Sequence, residues 1–129
     1  MKHIVLVLIA IALTSCSSSK NIKEDALLYF GKTQCLGKCP VFDMYLFEDG
    51  KVLYEGFKNV TLLGKHESKI TTEEIKDIKQ RLEKIDFSAK EKLTRDIPNT
   101  VLKFKGKKLI AQNNEEIKDL LILLEKIKL

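Results

Sequence analysis

The chain has 129 residues, enough for one small domain and too few for two of ordinary size. Its 23 lysines and arginines exceed its 18 aspartates and glutamates by five, but the signs are interleaved (Lys23-Glu24-Asp25, Glu73-Glu74-Ile75-Lys76-Asp77), so no basic block tracks a phosphate backbone and no nucleic-acid partner is expected. Tryptophan is absent, which leaves only Tyr29, Tyr45 and Tyr54 for a small sugar-stacking platform.

The N-terminus reads as a secretory signal peptide. Lys2 is followed by an apolar run from Ile4 to Leu13, too short for a membrane span, which needs roughly 20 residues. Leu13-Thr14-Ser15-Cys16 then resembles a bacterial lipobox. The resemblance implies cleavage after Ser15, a diacylglyceryl group on Cys16, and a mature chain of 114 residues and net charge +4, since only Lys2 is lost. Ser17 stands where an aspartate would signal retention at the inner membrane, so the outer membrane is the expected address. The organisation expected is a signal peptide over 1–15, a lipidated Cys16 and flexible tether over 16–25, and a single domain over 26–129.

Ala26-Leu27-Leu28-Tyr29-Phe30 reads as a buried strand. Val41 to Phe47 alternates, with Phe42, Met44 and Leu46 on one face and Val41, Asp43 and Tyr45 on the other. Asp49-Gly50 predicts a type I′ hairpin turn returning through Lys51–Glu55. Asn59 to Ile70 is expected to be extended, with a break at Gly64. Thr71 and Glu74 have capping-box spacing at the start of a helix over 72–85, whose buried stripe is Ile75, Ile78, Leu82 and Ile85. A loop over Phe87–Pro98 leads to a second hairpin, Thr100–Phe104 and Lys108–Ala111, around Lys105-Gly106-Lys107. Asn113-Asn114 caps a last helix over 115–127 carrying Ile117, Leu120, Leu121, Leu124 and Ile127.

Glu73-Glu74-Ile75-Lys76-Asp77 recurs as Glu115-Glu116-Ile117-Lys118-Asp119, and Leu82-Glu83-Lys84-Ile85 recurs as Leu124-Glu125-Lys126-Ile127. Duplication of a strand–strand–helix unit and convergence of two amphipathic helices both account for this. Either way the order of elements predicts an α+β fold, an antiparallel sheet built from hairpins with both helices packed on one face. The apolar run Leu120–Leu124 exceeds one helical stripe, which fits deep packing on the sheet or a partner facing Ile122 or Leu123.

With Cys16 reserved for lipid, Cys35 and Cys39 remain as an even pair in an exported chain, and a disulfide is expected. For so short a loop it contributes about 2 kcal/mol by the chain-entropy argument, so it shapes one turn. A search for chemistry finds little else. Ser68 or Ser88 would need His66 as a base, and no motif joins them. Asp43, Asp49 and Asp96 are scattered. No catalytic set, metal site or cofactor is assigned, and a non-enzymatic binding or structural module of the envelope, anchored to a membrane and meeting an envelope protein partner, is the reading favoured.

Two resemblances bear on the cysteines. Tyr29-Phe30-Gly31-Lys32-Thr33-Gln34-Cys35-Leu36-Gly37-Lys38-Cys39-Pro40 is similar to the cysteine stretch of thioredoxin-like copper chaperones, which implies an alternative: a periplasmic copper-binding or thiol-redox protein using Cys35 and Cys39, with His66 as the remaining imidazole. Against it, a strand and not a helix is predicted after Cys39. The wider pattern Cys35-x-Gly37-x-Cys39-Pro40-Val41-Phe42, Asp49-Gly50-x-Val52-x-Tyr54-x-Gly56, Gly64-Lys65-His66 and Asp96-x-Pro98 resembles bacterial lipoproteins and exported proteins grouped as domain-of-unknown-function family 6438. That resemblance runs from about Leu27 to the end, with Phe42 where tyrosine is commoner. It implies no activity, cofactor or catalytic residue.

Overall fold

The computed structural model describes residues 21–129. The expected signal peptide, Cys16 and the first part of the tether lie outside the described residues. Strands β1 (Leu28–Lys32), β2 (Val41–Leu46), β3 (Lys51–Lys58) and β4 (Gly64–Lys69) form a meander, followed by helix α1 (Thr72–Lys84). Strands β5 (Thr100–Phe104) and β6 (Lys107–Ala111) form a hairpin, and helix α2 (Lys118–Glu125) follows. The hairpin adds to the free edge of β1, giving one sheet in the order β4-β3-β2-β1-β5-β6 with every neighbour antiparallel. This is the α+β architecture expected.

The two-residue period of the strands sorts side chains between the faces. Leu28 lies between Leu46 and Phe104, and Phe30 between Met44 and Leu102. The rows continue outward to Val52 and Tyr54 on one side and Leu109 on the other. All of these are buried. Both helices cover this face: Ile75, Ile78 and Leu82 of α1 and Leu120 and Leu124 of α2, with Ile117 just before it, join the same apolar cluster. Each such side chain is worth about 1.5–3 kcal/mol when removed from water. The opposite face carries Tyr29, Gly31, Asp43, Tyr45, Leu53, Glu55 and Lys103 and, among the described residues, has no α-helix on it.

Thr71 and Glu74 form the capping box in full: the Thr71 hydroxyl accepts from the Glu74 N–H and the Glu74 carboxylate accepts from the Thr71 N–H. The hairpins reverse one expectation. At Asp49-Gly50 only Gly50 has a positive φ, 88°. The Phe47 carbonyl accepts from the Gly50 N–H, and the Asp49 carboxylate accepts from the Lys51 N–H, so the loop is longer than a two-residue type I′ turn. The two-residue turn with both φ values positive is Lys105-Gly106, at 48° and 73°. Strand twist selects such a turn wherever the register leaves two residues, whichever residues they are.

Several boundaries also differ. β1 starts two residues later than Ala26, and the extended segment expected over 59–70 is a strand only over Gly64–Lys69. The last helix begins as a 3-10 turn (Glu115–Ile117) with the Asn114 side chain accepting from the Glu116 N–H, then runs as α2 to Glu125. Part of the expected tether, Ile22–Asp25, forms a 3-10 turn, and Lys23 reaches Glu55 at 3.5 Å and lies over the Tyr45 ring. The helix follows four strands in the first half and two in the second, so any duplicated unit is unequal.

Candidate functional site

Strand direction divides the molecule into two ends. β1 enters from the chain start, so residues 21–27, the turn at 47–50 and the turn at 105–106 gather at one end. The loops 33–40, 59–63 and 112–114 and the approach to β5 through 93–99 gather at the other. Strands of this length put the ends about 17–20 Å apart. The second end holds the candidate site.

Its centre is the Cys35–Cys39 disulfide, with Cα atoms 5.8 Å apart, as the cysteine count led one to expect. The Cys35 sulfur accepts from the Gly37 N–H. Loop 33–40 is tied to loop 93–99: Leu36 N–H donates to the Arg95 carbonyl, Thr33 N–H to the Asn99 carbonyl, and Asn99 N–H to the Thr33 hydroxyl. Gln112, just past β6, fixes the second loop from below. Its amide oxygen accepts from the Thr94 N–H at 2.9 Å. Its Nε2 lies 2.7 Å from the Thr94 carbonyl, 2.9 Å from Asn99 Oδ1 and 3.1 Å from the Ile97 carbonyl, so two protons are shared among three acceptors. Glu91 accepts from the backbone N–H groups of Gln112 and Asn113.

These tethers hold apolar side chains outward. Leu36 is 75% exposed, Leu93 42% and Ile97 39%. Between the two loops runs a groove of about 460 Å³ with Cys35 and Asn99 among its lining residues. Sequence reading found the disulfide but not Gln112, because a lone glutamine after a strand carries no pattern. The exposed Leu36, Leu93 and Ile97 were equally silent, since no periodic stripe contains them.

A second groove, of about 540 Å³, crosses the open face between Lys23, Tyr45, Leu53, Glu55 and Lys65. Two of its charged groups, Lys23 and Glu55, already pair with each other. Beside it the Tyr29 hydroxyl donates to Asp43 at 2.6 Å, and Lys103 lies over the Tyr29 ring. Burial first, then the Asp43 hydrogen bond and charge, push the Tyr29 phenol well above its ordinary range; burial likewise raises Tyr45. Tyr29 and Tyr45 are neighbours on this face, with ring centroids 5.2 Å apart. Tyr54 lies on the helix-covered face near Phe42 and His66, so the three tyrosines do not make one platform.

The other candidates are not brought together. His66 Nε2 is 2.8 Å from the Leu63 carbonyl, Ser68 donates to the Lys128 carbonyl, and Ser88 donates to Asp86. Asp43 serves Tyr29, and Asp49 serves its own turn. Among the described residues no three of His, Cys, Asp and Glu cluster to hold a metal ion. After Cys39 the chain enters strand β2 and not a helix, which separates it from the cysteine stretch of the thioredoxin-like chaperones. Among the described residues no helix is long and apolar enough to cross a membrane. Ile122 of α2 is 46% exposed, whereas Leu123 packs partly against the core.

The family model of the domain of unknown function DUF6438 matches residues 26–128, and the chain belongs to that family. No curated protein and no solved structure shows significant similarity to it.

Proposed function

We propose that the protein is a lipid-anchored, non-enzymatic module of the bacterial cell envelope. Cys16 holds it to a membrane, preferably the outer one, and the disulfide end of the sheet meets an envelope protein. The observation that carries this reading is the polarity of the fold. The chain enters at one end of the sheet, while the stapled loops with outward Leu36, Leu93 and Ile97 lie at the other. A tether at the entry end therefore presents the apolar loops away from its own bilayer. Leu13-Thr14-Ser15-Cys16 supplies the anchor, and more than one acyl chain on one cysteine suffices for stable attachment.

The test is intact mass and metal content of the chain purified from membranes, beside a Cys16→Ser variant. The expected result is a diacylglyceryl-sized mass on the natural chain, no bound metal before or after reduction, and release of the variant into the soluble fraction. An unlipidated natural chain defeats the anchor. Stoichiometric copper bound through Cys35 and Cys39 replaces the binding module with the copper or thiol-redox alternative.

A further inference from the structure

We propose that the groove between the Cys35–Cys39 loop and the loop over 93–97 binds an acidic, extended segment of an envelope protein, seating an apolar side chain of that segment against Leu36, Leu93 and Ile97. This rests on the reading above and adds the chemistry of the partner.

The surface is preorganised. Apolar side chains on loops normally turn inward, because exposing them to water is unfavourable. Here they cannot, because the disulfide, the Leu36–Arg95 bond and the Gln112 contacts fix the backbone that carries them. A loop fixed beforehand loses little entropy on binding, which is the condition under which a small apolar contact gives useful affinity.

Charge selects the partner. Lys32, Lys38, Lys90, Lys92 and Arg95 lie on or beside the two loops, against Glu91 and Asp96. Glu91 accepts from the N–H groups of Gln112 and Asn113, which fixes its carboxylate but leaves its charge, so the five cations exceed the two carboxylates by three. Arg95 lines the groove, and Lys38 and Lys92 stand exposed on its two loops. Such a rim attracts carboxylates and repels basic segments, and it sets association rate and register more than raw affinity. A concave floor between two loops suits a polypeptide side chain better than a flat lipid surface. The position of the groove, at the end of the sheet opposite residues 21–27, also removes it from the anchoring bilayer.

The full chain, purified in non-ionic detergent, is tested on a peptide array that permutes aspartate and glutamate with leucine, valine and phenylalanine. Matched arrays replace the acids by lysine or the apolar residues by serine. Binding is expected on the acidic-apolar array alone, and NMR shifts with a selected peptide should fall on residues 34–39 and 93–99. Leu36→Ser and the pair Lys38→Glu, Arg95→Glu should each weaken binding at least tenfold. Both change exposed side chains, and circular dichroism confirms that the fold is kept. A blank acidic-apolar array, equal binding to the lysine array, or unchanged affinity in both variants overturns the proposal. So does a short-chain phosphatidylglycerol that shifts the same residues while the peptides do not, since the end would then be a lipid contact. A lipidated chain with a blank array leaves the anchor standing and sinks this inference. An unlipidated chain that binds the array does the reverse.

Discussion

The Tyr29 phenol reaches Asp43 across Gly31, and the bond exists because Gly31 has no side chain. A Cβ at Gly31 would fall 2.3 Å from the Tyr29 oxygen and 3.3 Å from Asp43 Oδ1. Tyr29 and Gly31 share the open face of β1, and Asp43 is the β2 partner of Gly31. The aromatic ring therefore covers the strand where the glycine would leave bare backbone. Gly31→Ala should displace the phenol and cost about 1 kcal/mol, close to the loss from Tyr29→Phe, since each ends the same hydrogen bond. Chemical denaturation of the two single variants and the double variant checks this; fully additive losses would show that the bond is not what both remove.

Tyr29 also sets an alkaline limit. An unfolded tyrosine ionises near pH 10, and the folded Tyr29 only above that. The folded state holds the proton more tightly, so its contribution is complete below about pH 10 and is lost as pH rises from there through the folded value. Burial raises Tyr45 and Tyr54 as well, so ultraviolet titration should show all three tyrosines ionising late with Tyr29 last, and Tyr29→Phe should remove that last phase. A last phase left unchanged in Tyr29→Phe would assign it to another ring.

Replacing Cys35 and Cys39 together by serine should lower stability by about 2 kcal/mol or less, because the closed loop is short. The local effect should be larger than the global one. Faster hydrogen exchange is expected at Leu36, whose N–H donates to Arg95, with the helices unchanged. Equal acceleration in α1 and α2 would mean that the bond supports the whole fold.

Ile78 and Leu120 are each 1% exposed beneath the sheet. Placing an aspartate at either site buries an unpaired charge and should unfold the domain. Ile122→Asp, on the solvent side of α2, should change stability by no more than about 0.5 kcal/mol. Thermal melts of the three variants check it; an unfolded Ile122→Asp would place a partner or a second copy on α2.

Gln112→Ala should cost about 1 kcal/mol, because it removes the donor to the carbonyls of Thr94 and Ile97 in an exposed turn where water can take its place. The measurement is exchange of the Thr94 amide, which donates to the Gln112 oxygen. If that amide stays as protected as in the natural chain, loop 93–99 is held by other contacts.

The sequence alone determined the parts of this protein that depend on neighbours along the chain. The capping box at Thr71, the alternation over Phe42, Met44 and Leu46, the stripe through Ile75, Ile78 and Leu82, and the pairing of Cys35 with Cys39 all act over a few residues, so their signals are local. The tertiary structure decided what depends on distant partners. It fixed which hairpin takes two positive φ values, that β5 joins β1, that Tyr54 faces the helices while Tyr29 and Tyr45 do not, and that Gln112 holds Thr94, eighteen residues before it. Those outcomes rest on strand register and on hydrogen bonds between remote segments. A one-residue change of register exchanges the faces of a strand, and no local pattern records which remote groups will meet.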